Sequence, residues 1–397
     1  MYGLGYIGLP TSLEFAHAGY RVVGVDVNQR AVDMLNAGEV HIFEEGLAEW
    51  YTEVRSAGLF SATTEPVPAD VFFIAVPTPI KTDKTAEMAY VESATRSIAK
   101  VLQPGNLVIL VSTSPPRTCL DLIAPILKEA TGLNHETDYD LVHCPERVIP
   151  GAILKEFKEN DRIVGGTTDR ATQRAYELYA TVVDKSKLHR TDSVTAEMCK
   201  LMENTFRDVN IALANEMAKV CERMGIDPRG AMRLANLHPR VNYLAPGIGV
   251  GGHCIPIDPW FIIEKAPDIT PLMKAARSIN DQRPHEVVEK ILDEAAVGEI
   301  AILGLAFKPN VDDLRESPAV EIAELVAQHD DAEILICEPF IHELPVELAP
   351  YTNVRLVSLE EAVKAPTIVA LVAHDAFKSI ERQGPNKRLD FVGVFAQ

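Results

Sequence analysis

The sequence has no CxxC pair. Its six cysteines, Cys119, Cys144, Cys199, Cys221, Cys254 and Cys337, are scattered along the chain. That argues against a disulfide framework and fits reduced thiols in a cytoplasm; no metal site is expected. No apolar run approaches the ~18 residues of a membrane span. No basic stretch leading into an apolar one marks a secretory leader, so a cytoplasmic location without a membrane is the expectation. Basic residues are in deficit, with 38 Lys and Arg against 57 Asp and Glu and a net charge of −19. A chain so acidic is a poor partner for nucleic acid or an anionic membrane. It can still take a phosphate-bearing ligand, which needs only local basic groups and helix N-termini. Low-complexity tracts and short repeats are absent too.

What is present reads as α/β. A chain of 397 residues, 47% apolar, suggests two or three domains with real cores. Arg21 to Val25, Val71 to Val76 and Leu107 to Val111 read as strands, the last two continuous and β-branched as buried parallel strands are. Thr11 to Ala18 and Val91 to Leu102 read as the helices between them. From Ser193 to Met224 no breaker occurs, and apolar residues recur at helical spacing. Beyond it Ile300 to Gly304, Ala332 to Cys337, Val354 to Leu356 and Thr367 to Val372 read as strands, with helical stretches such as Ala319 to Ala327. The expectation is two Rossmann-like doubly wound domains joined by a long central helix and a helical middle domain. The boundaries are set at 1–188, 189–288 and 289–397.

Gly3-Leu-Gly-Tyr-Ile-Gly8 fits GxGxxG and opens a helix, and Asp26 follows about 20 residues on, at the end of the next strand. Asp26 can accept from a ribose 2′-hydroxyl and would repel a 2′-phosphate, which favours NAD over NADP. The strand that should precede Gly3 has only Met1-Tyr2 to form it. The first strand of this sheet is therefore expected to be missing, as from a truncated start. A chain beginning here is expected to bind NAD weakly and to be poorly stable.

A second signal is Gly247-Ile-Gly-Val-Gly-Gly-His-Cys-Ile-Pro-Ile-Asp258, which sets Cys254 after a glycine run and four residues before a carboxylate. Glycines let backbone approach a ligand. A thiol there can act as a nucleophile with Asp258 managing protons; a buried structural cysteine in a tight turn is the plain alternative. Lys200 and Asn204 stand one turn apart on the long helix and share a face, suited to holding a negatively charged oxygen. Arg207 and Asn210 extend that polar line.

These residues resemble the UDP-glucose/GDP-mannose dehydrogenase family over almost the whole chain. The matching motifs are Gly3 to Gly8, Val76-Pro-Thr-Pro79, Ser112-Thr-Ser114, Cys144-Pro-Glu146, Lys200 with Asn204, Gly251-Gly-His-Cys254 with Asp258, and Phe307 to Pro318. His238-Pro-Arg-Val-Asn242 with Asp258-Pro-Trp-Phe261 looks most like the branch acting on UDP-N-acetyl-D-mannosamine. The resemblance implies a four-electron oxidation of a sugar 6-hydroxyl to a carboxylate with two NAD. It implies Cys254 as nucleophile, Lys200 and Asn204 holding the oxyanion, Asp258 as base or water-positioning group, and Thr113 and Glu146 handling the hydrolytic water. It places NAD at Gly3, Gly5, Tyr6, Ile7, Gly8, Asp26, Arg30, Pro77, Thr78 and Thr113. The UDP-sugar falls to Glu146, Arg147, Val148, Lys200, Asn204, Arg207, His238, Arg240, Asn242, Gly251, His253, Phe307, Lys308 and Arg315. A homodimer through the central helical domain, or a higher oligomer, is implied as well. Two positions depart from the branch. Val111 stands where Glu is usual, and Arg117 where glycine is common.

Two other classes stay open on the residues alone. A two-electron hydroxyacid dehydrogenase can share the Rossmann domain and a Lys/Asn pair, but has no need of Cys254 or a second α/β domain. A non-catalytic nucleotide-sugar sensor has no use for a thiol nucleophile. Other UDP-sugars, namely UDP-GlcNAc, UDP-GalNAc and UDP-glucose, also remain as substrates.

Overall fold

The structure is a computed structural model and describes residues 1–42, 44–149, 151–329, 332–380 and 384–395. The chain divides into two compact units. One comprises Met1–Glu203 with Trp260–Ala266, the other Asn204–Pro259 with Pro267–Gln397.

Among the described residues the first unit holds seven strands: β1 (Val22–Val25), β2 (Phe60–Thr63), β3 (Val71–Ile74), β4 (Leu107–Leu110), β5 (Asp140–His143), β6 (Arg162–Gly166) and β7 (Leu188–Asp192). β1 pairs with β2, and the other five run in the order β3-β4-β5-β6-β7. All pairings are parallel except β5 with β6. The four residues of β4, Leu-Val-Ile-Leu, are all buried, as a strand covered on both faces requires.

Among the described residues no strand lies in space between β1 and β3; Met1 and Tyr2 lie there, and Tyr2 makes parallel bridges to Val25 on one side and Ile74 on the other. Tyr2 N–H donates to Phe73 O at 2.8 Å, Ala75 N–H to Tyr2 O at 2.8 Å, and Gly3 N–H to Val25 O at 2.9 Å. These few bonds couple β1 to β3. Alongside lies a cavity of about 680 Å³ whose lining includes Met1, Phe15, Val23, Val71 and Phe73.

The helix read from Ser193 to Met224 is observed as Ser193–Arg223. In the second unit its later turns face the helix Pro271–Glu294 through a buried polar clasp. Arg277 donates to Asp208 Oδ1 at 2.5 Å, and Asn280 to the same oxygen at 2.8 Å. A buried charge is tolerable only when paired and hydrogen-bonded in this way.

The second unit also carries β8 (Ile300–Leu303), β9 (Ile334–Cys337), β10 (Val354–Leu356), β11 (Thr367–Ala370) and β12 (Lys387–Asp390). Their order is β10-β9-β8-β11-β12, parallel throughout. The chain reverses its winding between β8 and β11, which is where a doubly wound sheet opens a ligand crevice. Ser317 caps the helix Pro318–Gln328, whose apolar face covers this sheet.

Candidate active site

In the first unit the turn after Tyr2 is built by three glycines with different tasks. Gly3 has φ +87°, and a Cβ there would overlap Ala75 O. A Cβ on Gly8 would overlap Gly3 O, so only glycine lets the helix Gly8–His17 start so close to the strand. At Gly5 nothing lies within 4 Å of where a Cβ would be. That is open backbone onto which a diphosphate can settle. Asp26 Oδ2 accepts from Leu4 N–H at 2.8 Å and Oδ1 from Asn28 N–H at 2.9 Å. Each oxygen keeps a lone pair, and the residue is only half-buried. Asn28 then caps the helix Gln29–Ala37, on which Arg30 is exposed.

The ends of β3 and β4 meet beside this turn. Ser112 Oγ accepts from Val76 N–H at 2.9 Å and donates to Val76 O at 2.7 Å. Thr78 Oγ1 donates to Thr113 O at 2.7 Å. The fold thus brings Gly3, Pro77, Thr78 and Thr113 to one edge of the sheet. Val111, where the branch usually has Glu, is buried in the core. Arg117 has φ +75°, a conformation glycine adopts without penalty, which accounts for glycine being common there.

Glu146 follows β5 and is buried. Both its oxygens accept from Arg162, at 2.9 and 3.1 Å. Burial works against the Arg162 charge; Glu146 outweighs it and holds the guanidinium above its ordinary value. Arg147 pairs with Glu203 and donates to Asp161 O at 2.7 Å, and Val148 packs at the edge of the core. Glu197, on the long helix, accepts from Cys119 N–H at 2.9 Å and Arg117 N–H at 2.5 Å. It ties that helix to the turn after Thr113, and burial pushes its carboxyl up to about 7. One turn further on, Lys200 is half-buried, and no described residue pairs with its ammonium.

In the second unit Asn204 and Asp258 are both buried and joined by an Nδ2–Oδ2 hydrogen bond of 2.5 Å. Asp258 opens the helix Asp258–Lys265, and its N–H donates to Cys254 O at 2.9 Å. Cys254 is exposed. The glycine run leading to it is anchored at Gly247, whose N–H donates to Asn215 Oδ1 at 2.8 Å and whose carbonyl accepts from Arg283 at 3.0 Å. A Cβ on Gly251 would come within 2.6 Å of Pro318 and 2.7 Å of Glu316 O. Phe307 packs against this turn, and Lys308 Nζ lies 5.6 Å from the Phe307 ring centroid. Arg315 makes a two-pronged pair with Asp313, at 2.8 and 2.6 Å. The second unit therefore gathers Asn204, Asp258, Cys254, Gly251, His253 and Phe307. Arg207, His238, Arg240 and Asn242 are exposed and stand apart from that group; His238 Nδ1 accepts from Arg240 N–H at 3.4 Å.

Sequence reasoning missed Arg162, Glu197, Asn215 and Arg283. Their partners are 16, 78, 32 and 36 residues away. A lone charge in an apolar strand, as at Arg162, was the one local hint.

Comparison with known proteins agrees with this geometry. Sequence models of the UDP-glucose/GDP-mannose dehydrogenase family match the chain in three consecutive parts: the NAD binding domain over residues 1–183, the central domain over 194–282 and the UDP binding domain over 301–394. The chain is 47% identical to the UDP-N-acetyl-D-mannosamine dehydrogenase of Escherichia coli K12, over 98% of this chain and 96% of that one. It is 46% identical to an NDP-N-acetyl-D-galactosaminuronic acid dehydrogenase of Ralstonia solanacearum, over 96% and 91%. Among solved structures it resembles the UDP-N-acetyl-mannosamine dehydrogenase of Staphylococcus aureus with a TM-score of 0.87 and 40% identity, over 100% of this chain and 94% of that one. The chain belongs to the UDP-glucose/GDP-mannose dehydrogenase family, the NAD-dependent oxidoreductases of nucleotide sugars.

Proposed function

We propose that the protein oxidises UDP-N-acetyl-D-mannosamine at C6 to UDP-N-acetyl-D-mannosaminuronate in two two-electron steps. The observation that carries this reading is the buried Asn204–Asp258 pair at the foot of the turn presenting Cys254. A turn built around a solvent-facing thiol, with a carboxylate anchored behind it, suits covalent capture of an aldehyde.

Gly3, Gly5, Gly8 and Asp26 would hold NAD, which would supply a hydride acceptor for each of the two oxidations. The chain's own residues do the rest. Lys200 and Asn204 hold the C6 oxygen as it gains negative charge. Asp258 accepts the hydroxyl proton or orients water. The Cys254 thiolate adds to the aldehyde carbon, giving a thiohemiacetal, and loss of the second hydride leaves a thioester. Water adds to the thioester carbonyl, the C–S bond breaks, and the carboxylate leaves with the thiol restored. Thr113 and Glu146 are the residues assigned to handle that water. Arg162 fixes Glu146 by a two-pronged hydrogen bond, so Glu146 acts by orienting the water rather than by swinging to it. Lys308 and Arg315 hold the diphosphate, with Arg315 exchanging Asp313 for the ligand. Arg147, Val148, Arg207, His238, Arg240, Asn242 and His253 serve the rest of the sugar nucleotide.

The middle of the chain supports a homodimer. Met202, Phe206, Leu213, Val220 and Met224 are exposed at helical spacing along or just past one long helix, with Leu234 and Leu237 following. Such a row asks for a partner. No described helix is long and apolar enough to cross a membrane, in keeping with a cytoplasmic enzyme. The three-part division 1–188, 189–288 and 289–397 is retained as the working domain scheme.

A panel of UDP-sugars with NAD, counting NADH per sugar consumed, tests the reading. Two NADH are expected with UDP-N-acetyl-D-mannosamine; one NADH would make the enzyme a simple two-electron dehydrogenase. UDP-N-acetylgalactosamine belongs in the panel because of the Ralstonia relative's name. Cys254→Ser should leave a stalled or very slow enzyme, since alkoxide is a poor acyl leaving group, and full turnover by that variant would end the thioester route.

A further inference from the structure

Glu338 and His374 form a pair whose side chains are completely inaccessible to solvent. Neither belongs to any motif in the sequence. Glu338 Oε2 accepts three hydrogen bonds, from Leu305 N–H at 2.7 Å, Ala306 N–H at 3.1 Å and His374 Nε2 at 3.0 Å. Its Oε1 accepts from Phe340 N–H at 3.2 Å. The ring tautomer follows from the other side. Asn310 N–H donates to His374 Nδ1 at 2.9 Å, so that nitrogen is the acceptor and the proton sits on Nε2, toward Glu338. Asn310 has φ +62°, and its side chain exchanges two bonds with Asp375, at 2.9 and 3.0 Å.

The turn from Gly304 to Asn310 is thereby held at both ends, by Glu338 at the start and His374 at the finish. Phe307 and Lys308 lie between. The Phe307 ring is packed on the glycines that precede the thiol: a Cβ on Gly252 would stand 3.2 Å from its ring carbons, and one on Gly251 3.3 Å from Phe307 Cβ. Gly252 N–H also reaches Glu316 O at 3.3 Å. Cys254 follows two residues later.

We propose that Glu338 and His374 are positioning residues: through the 304–310 turn and Phe307 they set the Gly251–Cys254 turn that presents the thiol, and they set the backbone that presents Lys308. The inference rests on Cys254 and Lys308 acting as described under the proposed function. Buried polar networks that are fully satisfied rigidify what they touch, and small displacements at a reacting centre are expensive.

The test uses the full chain with His374→Ala, Glu338→Gln and His374→Gln. Three quantities are read: thermal unfolding, the rate at which iodoacetamide alkylates Cys254 (followed by peptide mass spectrometry), and KM for UDP-sugar and for NAD. His374→Ala is expected to shift both the alkylation rate and the UDP-sugar KM about 10-fold or more, with the NAD KM unchanged. Glu338→Gln keeps the volume but sets an amide donor against one of the three N–H groups, and gives the same signature if the alanine variant fails to fold. His374→Gln carries one acceptor and one donor and should recover most of the loss. Wild-type alkylation and UDP-sugar KM in a folded His374→Ala or Glu338→Gln variant would overturn the inference. So would a glutamine variant no better than alanine. The alkylation arm needs no sugar nucleotide. A shifted alkylation rate in a protein that oxidises no UDP-sugar would sink the proposed function and leave the positioning role standing.

Discussion

One strand-turn device is built twice in this chain, and its two copies are finished differently. In the first unit Gly3, at φ +87°, turns the chain and Asp26, just after the next strand, accepts from Leu4 N–H. In the second Gly304, at φ +92°, makes the turn and Glu338, just after the next strand, accepts from Leu305 and Ala306 N–H. Asp26 is half-buried with lone pairs to spare, whereas Glu338 is sealed and its Oε2 is saturated by three donors. The same carboxylate position can hold a ligand or hold the fold, and the number of protein donors around it decides which. Two buried histidines repeat the contrast. His374 is bonded through both ring nitrogens; His143, at the end of β5, is bonded through neither.

The strongest way to break the first turn is Gly8→Ala. The added Cβ overlaps Gly3 O, so NAD affinity should fall by more than ~1,000-fold, about 4 kcal/mol, while UDP still binds to the second unit with wild-type affinity by calorimetry. Asp26→Ala sharpens the open-against-sealed comparison. Loss of a charge-assisted bond to ribose should raise the NAD KM about 10- to 100-fold and narrow the preference over NADP, leaving the UDP-sugar KM unchanged.

The smallest effect has an informative sign. His143→Leu should stabilise by about 1–3 kcal/mol at neutral pH, because it removes two unpartnered buried nitrogens. It should also flatten the acid limb. Burial lowers the folded-state value of His143 to about 3. Between that and the ordinary histidine range the unfolded chain binds the extra proton, so stability is full above the ordinary range and drains as pH falls toward 3. Thermal melts from pH 4 to 8 would show the wild-type slope reduced in the variant, and an unchanged slope would place the acid sensitivity elsewhere.

Much of this was legible in one dimension. GxGxxG with Asp26 named the first turn, because a glycine with positive φ and a carboxylate one strand later are local demands. Buried parallel strands such as Leu107–Leu110 announced themselves as apolar runs, though each ended a residue or two short of the reading. The short polar-flanked strands β6, β7 and β12 did not announce themselves, since Arg162 or Lys387 in a strand breaks the apolar run. The antiparallel placement of β6 against β5 was equally invisible, being a matter of how two segments meet. Glu146 was picked out by its motif, but its bidentate bond to Arg162 was not.

The residues themselves determined which backbone torsions were open, which segments had to be buried, and which side chains could act as nucleophile, base or cation. Those are properties of short stretches, governed by sterics, hydrophobic period and intrinsic chemistry. Only tertiary structure decided which carboxylate stays available to a ligand and which is consumed by the fold. Asp26 and Glu338 look alike in sequence. The difference lies in donors brought in from afar, and bonds between distant residues exist only once the chain has folded.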